Sequence, residues 1–419
     1  MPPELDQVVR EEWGRLVALL LAHFRRLDLV EDALGDAVEA AARQWPRDGT
    51  PANPAAWLQT VARRRIVDRL RAEAMAQRRH VLVATDLQRR PPRAMADPGD
   101  LVEDDLLRLV LMCTHPALAP ESASALALRL VLGVSTRDIA ALFLVPEPTM
   151  AARITRAKKK IVTAGIPFAV PDLAVLPDRL ATVAQTAYLA FTAGYAPASG
   201  PALLRTTLAG EAVRLVRTVR ALRPEDPTLT ALLALVLLQH SRRDARVDDE
   251  GRLVLLDDQD RDRWHRDEIE EAGRLLASPG LIGAPLPAQA ASYLLQALVA
   301  AEHAVAPTSE LTRWDRIVGL YDQLLALSPS PPARLARAVA VAEADGPRAG
   351  LAALDGVEVP GSHRVAAVRA ELLARAGETV AAVAQLDAAL AACDNDTERA
   401  HLQRRRAEIS GAGIVHPGG

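Results

Sequence analysis

The sequence predicts an all-α protein in which two small helical domains, the second built on a helix-turn-helix, precede a longer array of helical repeats. Three observations point there. Phe, Trp and Tyr supply only 3% of the 419 residues while Ala, Leu, Arg and Val dominate, a balance that favours helix packing over sheet. Apolar residues recur at spacings of three and four along most of the chain. Pro, Gly, Ser and Asn fall where helix termini want them. With half of its residues hydrophobic and a quarter charged, the chain can bury several cores, roughly two to four domains.

Several classes of protein are disfavoured at once. No stretch approaches the roughly eighteen uninterrupted apolar residues of a membrane helix, and the start, MPPELDQVVREEW, carries acids where a signal peptide carries basic then apolar residues. A cytoplasmic protein is expected. Cys113 and Cys393 lie far apart in sequence, so neither a disulfide framework nor a four-ligand zinc site is indicated. The net charge of -3 divides unevenly: residues 1–165 hold 24 Lys and Arg against 21 Asp and Glu, net +3, which leaves -6 on the remainder. That excess is modest beside strongly basic nucleic-acid domains, so the placement of charge has to carry any such reading.

Residues 13–27 place Trp13, Leu16, Leu20, Phe24 and Leu27 on one stripe, the pattern of an amphipathic helix. Asp28 reads as an N-cap with Glu31 three residues on, opening a second helix buried through Leu34, Ala37, Val38, Ala41 and Trp45 and ended by Pro46 and Gly49. Asn53 caps a third helix, with Pro54 at its first position where the missing N–H costs nothing, and the pattern runs to about Ala74. The text MAQRRHVLVATDLQRRPPRAMADPGD then has paired prolines and no sustained period, which marks a linker over residues 76–100 between domains at 1–75 and 101–165.

After the linker a helix is expected over residues 101–112, and another from Pro120 to Leu132 that Gly133 closes. Residues 166–419 form the third part. From about Leu173 to about Ile409, alanine-rich helices of roughly twelve to eighteen residues alternate with Pro/Gly turns, as helical repeats require. The clearest unit runs from Arg364 to Cys393, where Ala366, Leu372, Leu373, Ala376, Gly377, Ala382, Leu386 and Leu390 spell a helix, a turn at Gly377 and a second helix with tetratricopeptide-like spacing.

The helix-turn-helix lies between. Ser135 caps a short helix with Asp138 as the reciprocal acid, and Ile139, Ala140 and Phe143 form its apolar face. Leu144, Val145 and Pro146 turn the chain, and Pro148 is expected at the first position of the next helix. There Met150, Ile154, Ala157 and Ile161 share the buried side, while Thr149, Ala152, Arg153, Arg156 and Lys160 form the opposite stripe, with Lys158 and Lys159 beside it. A short helix, a tight turn and a second helix with such a stripe suit a major groove, where arginines read guanine edges and lysines neutralise phosphates. Taken alone, such a charge run is also what a solvated helix face carries.

Two longer stretches narrow the choice. VSTRDIAALFLVPEPTMAARITRAKKKI resembles the fourth conserved region of extracytoplasmic-function sigma factors, and DLVEDALGDAVEAAARQWP with PANPAAWLQTVARRRIVDRLRAEA behind it resembles their second region, in the family's order with a linker between. The resemblance implies two helical sigma domains, region 2 over 1–75 and region 4 over 101–165. It implies that Thr149, Ala152, Arg153, Arg156, Lys158, Lys159 and Lys160 bind the -35 promoter element. It implies that Arg63, Arg64, Asp68, Arg69 and Arg71 melt and read the -10 element, and that Glu31, Asp32 and Asp36 dock on the clamp helices of the polymerase large subunit, with the polymerase flap as a further contact. Gly35 stands where the family usually has glutamine and Arg64 where asparagine is usual, which bears on polymerase affinity and on the base captured. The texts AYLAFTAGYAPASG and RVDDEGRLVLLDDQDRDRW resemble the extension of one subgroup of these factors, in which it replaces a membrane anti-sigma partner and acts on the sigma module within the same chain. The opposite charges of the front and rear parts favour such an intramolecular contact.

Other clusters carry less. Asp248, Asp249, Glu250, Asp257, Asp258, Asp260 and Asp262 lack the calcium-loop pattern, because Gly251 is followed by Arg-Leu-Val-Leu-Leu; pairing with Arg242, Arg243, Arg261 and Arg263 is expected instead. Cys113 and His115 have no second Cys/His pair nearby, so a packed cysteine is expected. Phosphate-loop, dinucleotide and hydrolase motifs are lacking, so neither enzymatic activity nor a cofactor or metal is expected, and catalysis belongs to the polymerase. From the residues alone two other functions stay open: a ligand-responsive helix-turn-helix regulator that does not join polymerase, and a repeat scaffold that binds peptides. Arg64, Arg69 and Arg71 weigh against the first, which needs no strand-opening module.

Overall fold

The computed structural model describes residues 3–77, 99–143, 145–195, 206–248, 250, 252–283, 285–359, 362–393 and 395–412. Nearly all of the expected linker lies outside these residues, as do Leu144 of the helix-turn-helix turn, residues 196–200 of the extension text, and Asp249 and Gly251 of the acidic loop. The regular elements among the described residues are helices, with an isolated β-bridge between Val247 and Leu253. The chain folds as two compact units, one of residues 1–190 with 217–222, the other of residues 191–216 with 223–419.

The first unit begins with α1 (Pro3–Phe24), α2 (Leu27–Asp48) and α3 (Pro54–Gln77), which pack on one another. The stripe over residues 13–27 is present, but α1 starts well before it, with Leu5 fully buried, and Leu27 opens α2 instead of ending α1. Arg25 makes the break: its φ of 54° is left-handed, unusual for a non-glycine residue and characteristic of a tight turn. Asp28 is not the cap expected of it. Arg26 precedes α2, and its guanidinium holds Asp28 at 2.8 Å and Glu73 of α3 at 3.2 Å, so the acid fastens the turn. Nor does Pro46 end α2, which continues to Asp48 until the Gly49 N–H bonds the Trp45 carbonyl with φ at 85°. Asn53 does cap α3, its Oδ1 accepting from the Ala56 N–H at 3.0 Å. Trp45 and Trp57 meet edge to face, 5.7 Å between ring centres, and lock α2 to α3.

The unit continues with α4 (Gly99–Cys113), α5 (Pro120–Leu130), α6 (Thr136–Leu142), α7 (Glu147–Thr163) and the first part of α8 (Leu176–Tyr195). Leu107, Leu109, Leu111, Leu126, Leu128 and Leu130 are buried almost completely, each worth about 2 kcal/mol of apolar transfer. Gly133, with φ at 74°, ends this hairpin as its sequence position suggests.

In the second unit α10 (Pro227–His240), which follows α9 (Thr206–Leu222), is buried on all sides from Thr228 to Leu238, and Asp226 caps it by accepting from the Leu229 N–H at 2.8 Å. A helix apolar all round belongs at the centre of a core, and α11 (Arg266–Leu276) and α12 (Ala288–Val305) pack on it. Then α13 (Trp314–Leu327), α14 (Pro331–Asp345), α15 (Pro347–Ala353), α16 (Arg364–Arg375), α17 (Thr379–Ala391) and α18 (Asp396–Ala412) each pack on the next. Separate small cores form around Ile317 and Ala340, Leu335 and Leu372, and Leu386 and Leu402, the nearest-neighbour organisation of a repeat array. Two features depart from the expected regularity: α15 has only seven residues, and between α10 and α11 the described residues form short 3-10 turns at Arg243–Ala245, Leu256–Asp258 and Arg261–Arg263.

Candidate nucleic-acid interface

The helix-turn-helix is built as its residue spacing requires. Ser135 Oγ accepts from the Asp138 N–H at 3.0 Å and donates to the Asp138 carboxylate at 2.6 Å, which caps α6. Glu147 opens α7 behind Pro146, so Pro148 takes the second helical position and not the first. Met150, Ile154, Ala157 and Ile161 are buried, which fixes the rotation of α7 and leaves Thr149, Ala152, Arg156, Lys159 and Lys160 exposed and Arg153 half-buried. No ion pair among the described residues engages Arg153, Arg156, Lys159 or Lys160, so their cationic groups stay available to an anion.

On α3, Arg64, Asp68 and Arg71 line an exposed face, with Arg71 3.5 Å from Asp68. Arg63 is half-buried, and Arg69 turns toward α2, where it reaches Asp36 at 2.9 Å and Asp32 at 3.3 Å. Arg65 adds a contact to Asp36 at 3.4 Å. Two of the acids assigned by resemblance to polymerase and one arginine assigned to promoter DNA are therefore joined to each other. Asp32 stays exposed and Asp36 half-buried, and such open pairs are weak enough for a partner to replace.

Glu31 is placed quite differently. Only 6% of it is accessible, and its carboxylate accepts from Arg129 Nε of α5 at 2.6 Å and from Lys158 Nζ of α7. Burial opposes its ionisation, but the charges of Lys158 and Arg129 more than offset this and hold its carboxyl below the usual range. Of the cationic residues assigned to DNA on α7, Lys158 is thus bound within the chain. Around this cluster the helices of the two sigma-like segments meet closely. Trp13 Nε1 donates to the Arg129 carbonyl at 3.1 Å, and the Arg129 guanidinium lies 5.7 Å from the Trp13 ring centre. A Cβ on Gly14 would stand 2.3 Å from the Val131 carbonyl oxygen, so α1 reaches the end of α5 only because that residue has no side chain.

Further along the first unit, Arg179 of α8 donates to the Leu111 carbonyl at 2.5 Å, and Ser124 of α5 donates to the Thr186 carbonyl at 3.2 Å, so α8 rests on α4 and α5. Cys113 is fully enclosed, and burial pushes its thiol well above the ordinary value, as befits a packed and unreactive cysteine. His115 accepts the Ala117 N–H at 3.1 Å in a turn.

Among the described residues of the acidic loop, the ion pairs of Asp248, Glu250 and Asp262 are made with Arg252 and Arg266 and not with the arginines expected. Asp248 and Glu250 take Arg252, and Asp262 takes Arg266 at 3.5 Å, whereas Arg243 goes to Glu268 at 2.9 Å and Arg242 and Arg261 stack on Trp264. Sequence reading also missed that His363, Cys393 and Glu398 come within 4.8 Å of one another; there Glu398 is taken up by His363 at 3.0 Å and Arg364 at 3.2 Å.

Comparison with known proteins agrees with this layout. Residues 8–75 match the family Sigma-70 region 2, residues 108–161 match Sigma-70, region 4, and residues 179–279 match a family of unknown function, DUF6596. An uncharacterized protein of Rhizobium meliloti (strain 1021) is 41% identical over 392 residues, covering 92% of this chain and 90% of its own. No solved structure matches the chain. No helix among the described residues is long and apolar enough to cross a membrane.

Proposed function

Because the chain belongs to the sigma-70 family, as an extracytoplasmic-function-type factor with a C-terminal extension that joins core RNA polymerase to direct promoter recognition, we propose that its structure is a closed resting form of that factor. The observation that carries this is the Glu31 cluster. An acid on the polymerase-docking helix holds Lys158 of the promoter-reading helix, so region 2 and region 4 are clasped before either meets its target.

On this reading Asp32 and Asp36 of α2 dock on the clamp helices, exchanging Arg69 and Arg65 for polymerase side chains, and region 4 also meets the flap. Arg63, Arg64, Asp68, Arg69 and Arg71 handle the opened -10 strand, an unstacked base being held against the protein. Thr149, Ala152, Arg153 and Arg156 read the -35 duplex, while Lys159 and Lys160 take phosphates. Lys158 joins them once Glu31 releases it. The chain performs no chemistry itself, works in the cytoplasm where polymerase and promoter meet, and uses its extension, residues 166–419, to regulate the sigma module. Support for a regulating extension comes from Arg179 and Thr186, whose helix rests on region 4.

Run-off transcription with purified core polymerase tests the reading. The full chain should start transcripts from a subset of promoters in a genomic pool, and charge reversal at Asp32 and Asp36 should abolish co-migration with core enzyme while the helical content is retained. A chain that binds promoter duplex but never joins core polymerase belongs to the class of self-sufficient DNA-binding regulators instead.

A further inference from the structure

The C-terminal end of the array gathers three chemically different donors that the sigma reading does not use. His363 lies at the N-terminus of α16, Cys393 follows the end of α17, and Glu398 stands in the first turn of α18. Their ligand atoms, an imidazole nitrogen, the thiol sulfur and a carboxylate oxygen, all lie within 4.8 Å of one another, and none of the three residues is exposed. Donors on three separate helix ends meet only because these helices fold around the core of Ala370, Leu386, Cys393 and Leu402.

Local bonding sets the donors in place. Asn395, itself buried, accepts through Oδ1 from the Thr397 N–H at 3.1 Å and the Glu398 N–H at 3.0 Å, which caps α18 and fixes the backbone of Glu398. The two carboxylate oxygens of Glu398 divide: Oε1 takes Arg364 at 3.2 Å, and Oε2 faces His363 Nε2 at 3.0 Å. Arg364 is thus placed as the outer partner that orients a ligating carboxylate. Cys393 Sγ donates to the Asn395 carbonyl at 3.5 Å, and Arg399 donates to the Cys393 carbonyl, which holds the backbone that carries the sulfur.

Pairing of His363 with Glu398 accounts for two of the donors but gives no role to a sulfur at the same point. Around a tetrahedral zinc ion, with nitrogen at about 2.0 Å and sulfur at about 2.3 Å, the donors stand roughly 3.5 Å apart. The cluster therefore closes by little more than about 1 Å to embrace one ion. Thiolate with imidazole selects zinc over the hard cations magnesium and calcium. Charge balances as well: one thiolate and one carboxylate neutralise a dication, leaving no net charge for burial to penalise.

We propose that His363, Cys393 and Glu398 form a zinc site that pins α18 to α16 and α17. On binding, Cys393 gives its thiol proton to solvent and its sulfur to the ion, His363 turns Nε2 from Glu398 to the ion, and Glu398 keeps Arg364 on its other oxygen. The intervals between the three residues match none of the short Cys/His zinc patterns, so their order along the chain conceals the set. The site rests on the second unit alone and stands or falls independently of the promoter reading.

Titration of the reduced, metal-free full-length chain with Zn2+ and with Co2+ tests this, with Mg2+ as the hard control. Zinc should bind one-to-one, raise the melting temperature and slow hydrogen exchange in α18. Cobalt should give a thiolate-to-metal charge-transfer band together with the intense visible bands of a tetrahedral ion, and Mg2+ should not bind at the site. Cys393→Ser should remove the charge-transfer band, and Glu398→Gln should weaken zinc by about tenfold or more. Glu398→Gln keeps the size of the side chain and an oxygen for Arg364, so it reads the ligand charge even if Cys393→Ser disturbs the core. Absence of saturable zinc binding, a cobalt spectrum without the thiolate band, a band that survives in Cys393→Ser, or zinc affinity unchanged in Glu398→Gln each overturns the proposal, whatever the transcription assay shows.

Discussion

Arg129 donates from Nε to Glu31 Oε1 at 2.6 Å, and so ties the second helix of region 2 to the hairpin that carries region 4. Lys158 of α7 completes the cluster on the other carboxylate oxygen. Both cations keep part of their side chains in solvent, which moderates the desolvation cost of a pair whose acid is buried. The two promoter-reading segments are thereby held in one body, and the consequences are measurable.

Replacing Glu31 with Ala leaves Arg129 and Lys158 facing each other without a counter-charge. Protection of the α2 and α7 amides in hydrogen exchange should fall by an amount equivalent to about 2–3 kcal/mol, less than for a fully buried pair. Protection equal to the parent's would mean that the cluster is incidental to the packing.

The pH dependence follows from the direction of the Glu31 shift. Its carboxyl is held below the ordinary value in the folded chain, so its contribution to stability is fully present above the unfolded value and is lost as pH falls through the depressed one. Exchange protection of α7 should therefore be flat from neutral pH down to about pH 5 and decline only below the ordinary carboxylate range near 4. A decline centred near pH 6 would assign the clasp to a histidine instead.

Two glycines of region 2 should respond oppositely. A side chain on Gly14 drives into the Val131 carbonyl, so Gly14→Leu should part α1 from α5 and enlarge the molecule in small-angle scattering. Nothing lies within 4 Å of a Cβ on Gly35, so Gly35→Gln should fold normally and gain about half a kcal/mol of helix stability. If Gly35 weakens the polymerase contact, the same change should tighten binding to core enzyme in a pull-down titration.

If α7 reads the promoter as proposed, Arg153→Ala and Arg156→Ala should each cost about 1–3 kcal/mol of promoter affinity and little on random duplex, whereas Lys159→Ala should lower the salt slope on both by about one. Gel-shift titrations at several salt concentrations read both effects. Equal losses on promoter and random DNA would make the arginines phosphate contacts.

Much of this was legible because local rules decide it. Ser135 with Asp138, Asn53 with Pro54, and the Met150, Ile154, Ala157, Ile161 stripe each follow from the chemistry of a single helix or its end. What escaped needs partners distant in sequence. Asp28 had the composition of a cap, but Arg26 and Glu73 claimed it for the turn. Glu31 had the composition of a reciprocal cap acid, and only α5 and α7 reveal that it is buried. A signal was present: Leu27, Glu31, Leu34 and Val38 are spaced by four, three and four, which puts the acid on the apolar stripe itself. The cluster of His363, Cys393 and Glu398 draws on three separate helix ends, and no periodicity announces it.

Energy transfer between dyes on Ala52→Cys and Thr163→Cys, both at exposed positions while Cys113 and Cys393 are buried, tests the closed form most directly. Transfer should be efficient in the free chain, fall when core polymerase is added, and already be low in the same chain carrying Glu31→Ala. Transfer that stays constant when core polymerase binds, and is the same with or without Glu31, would contradict the account.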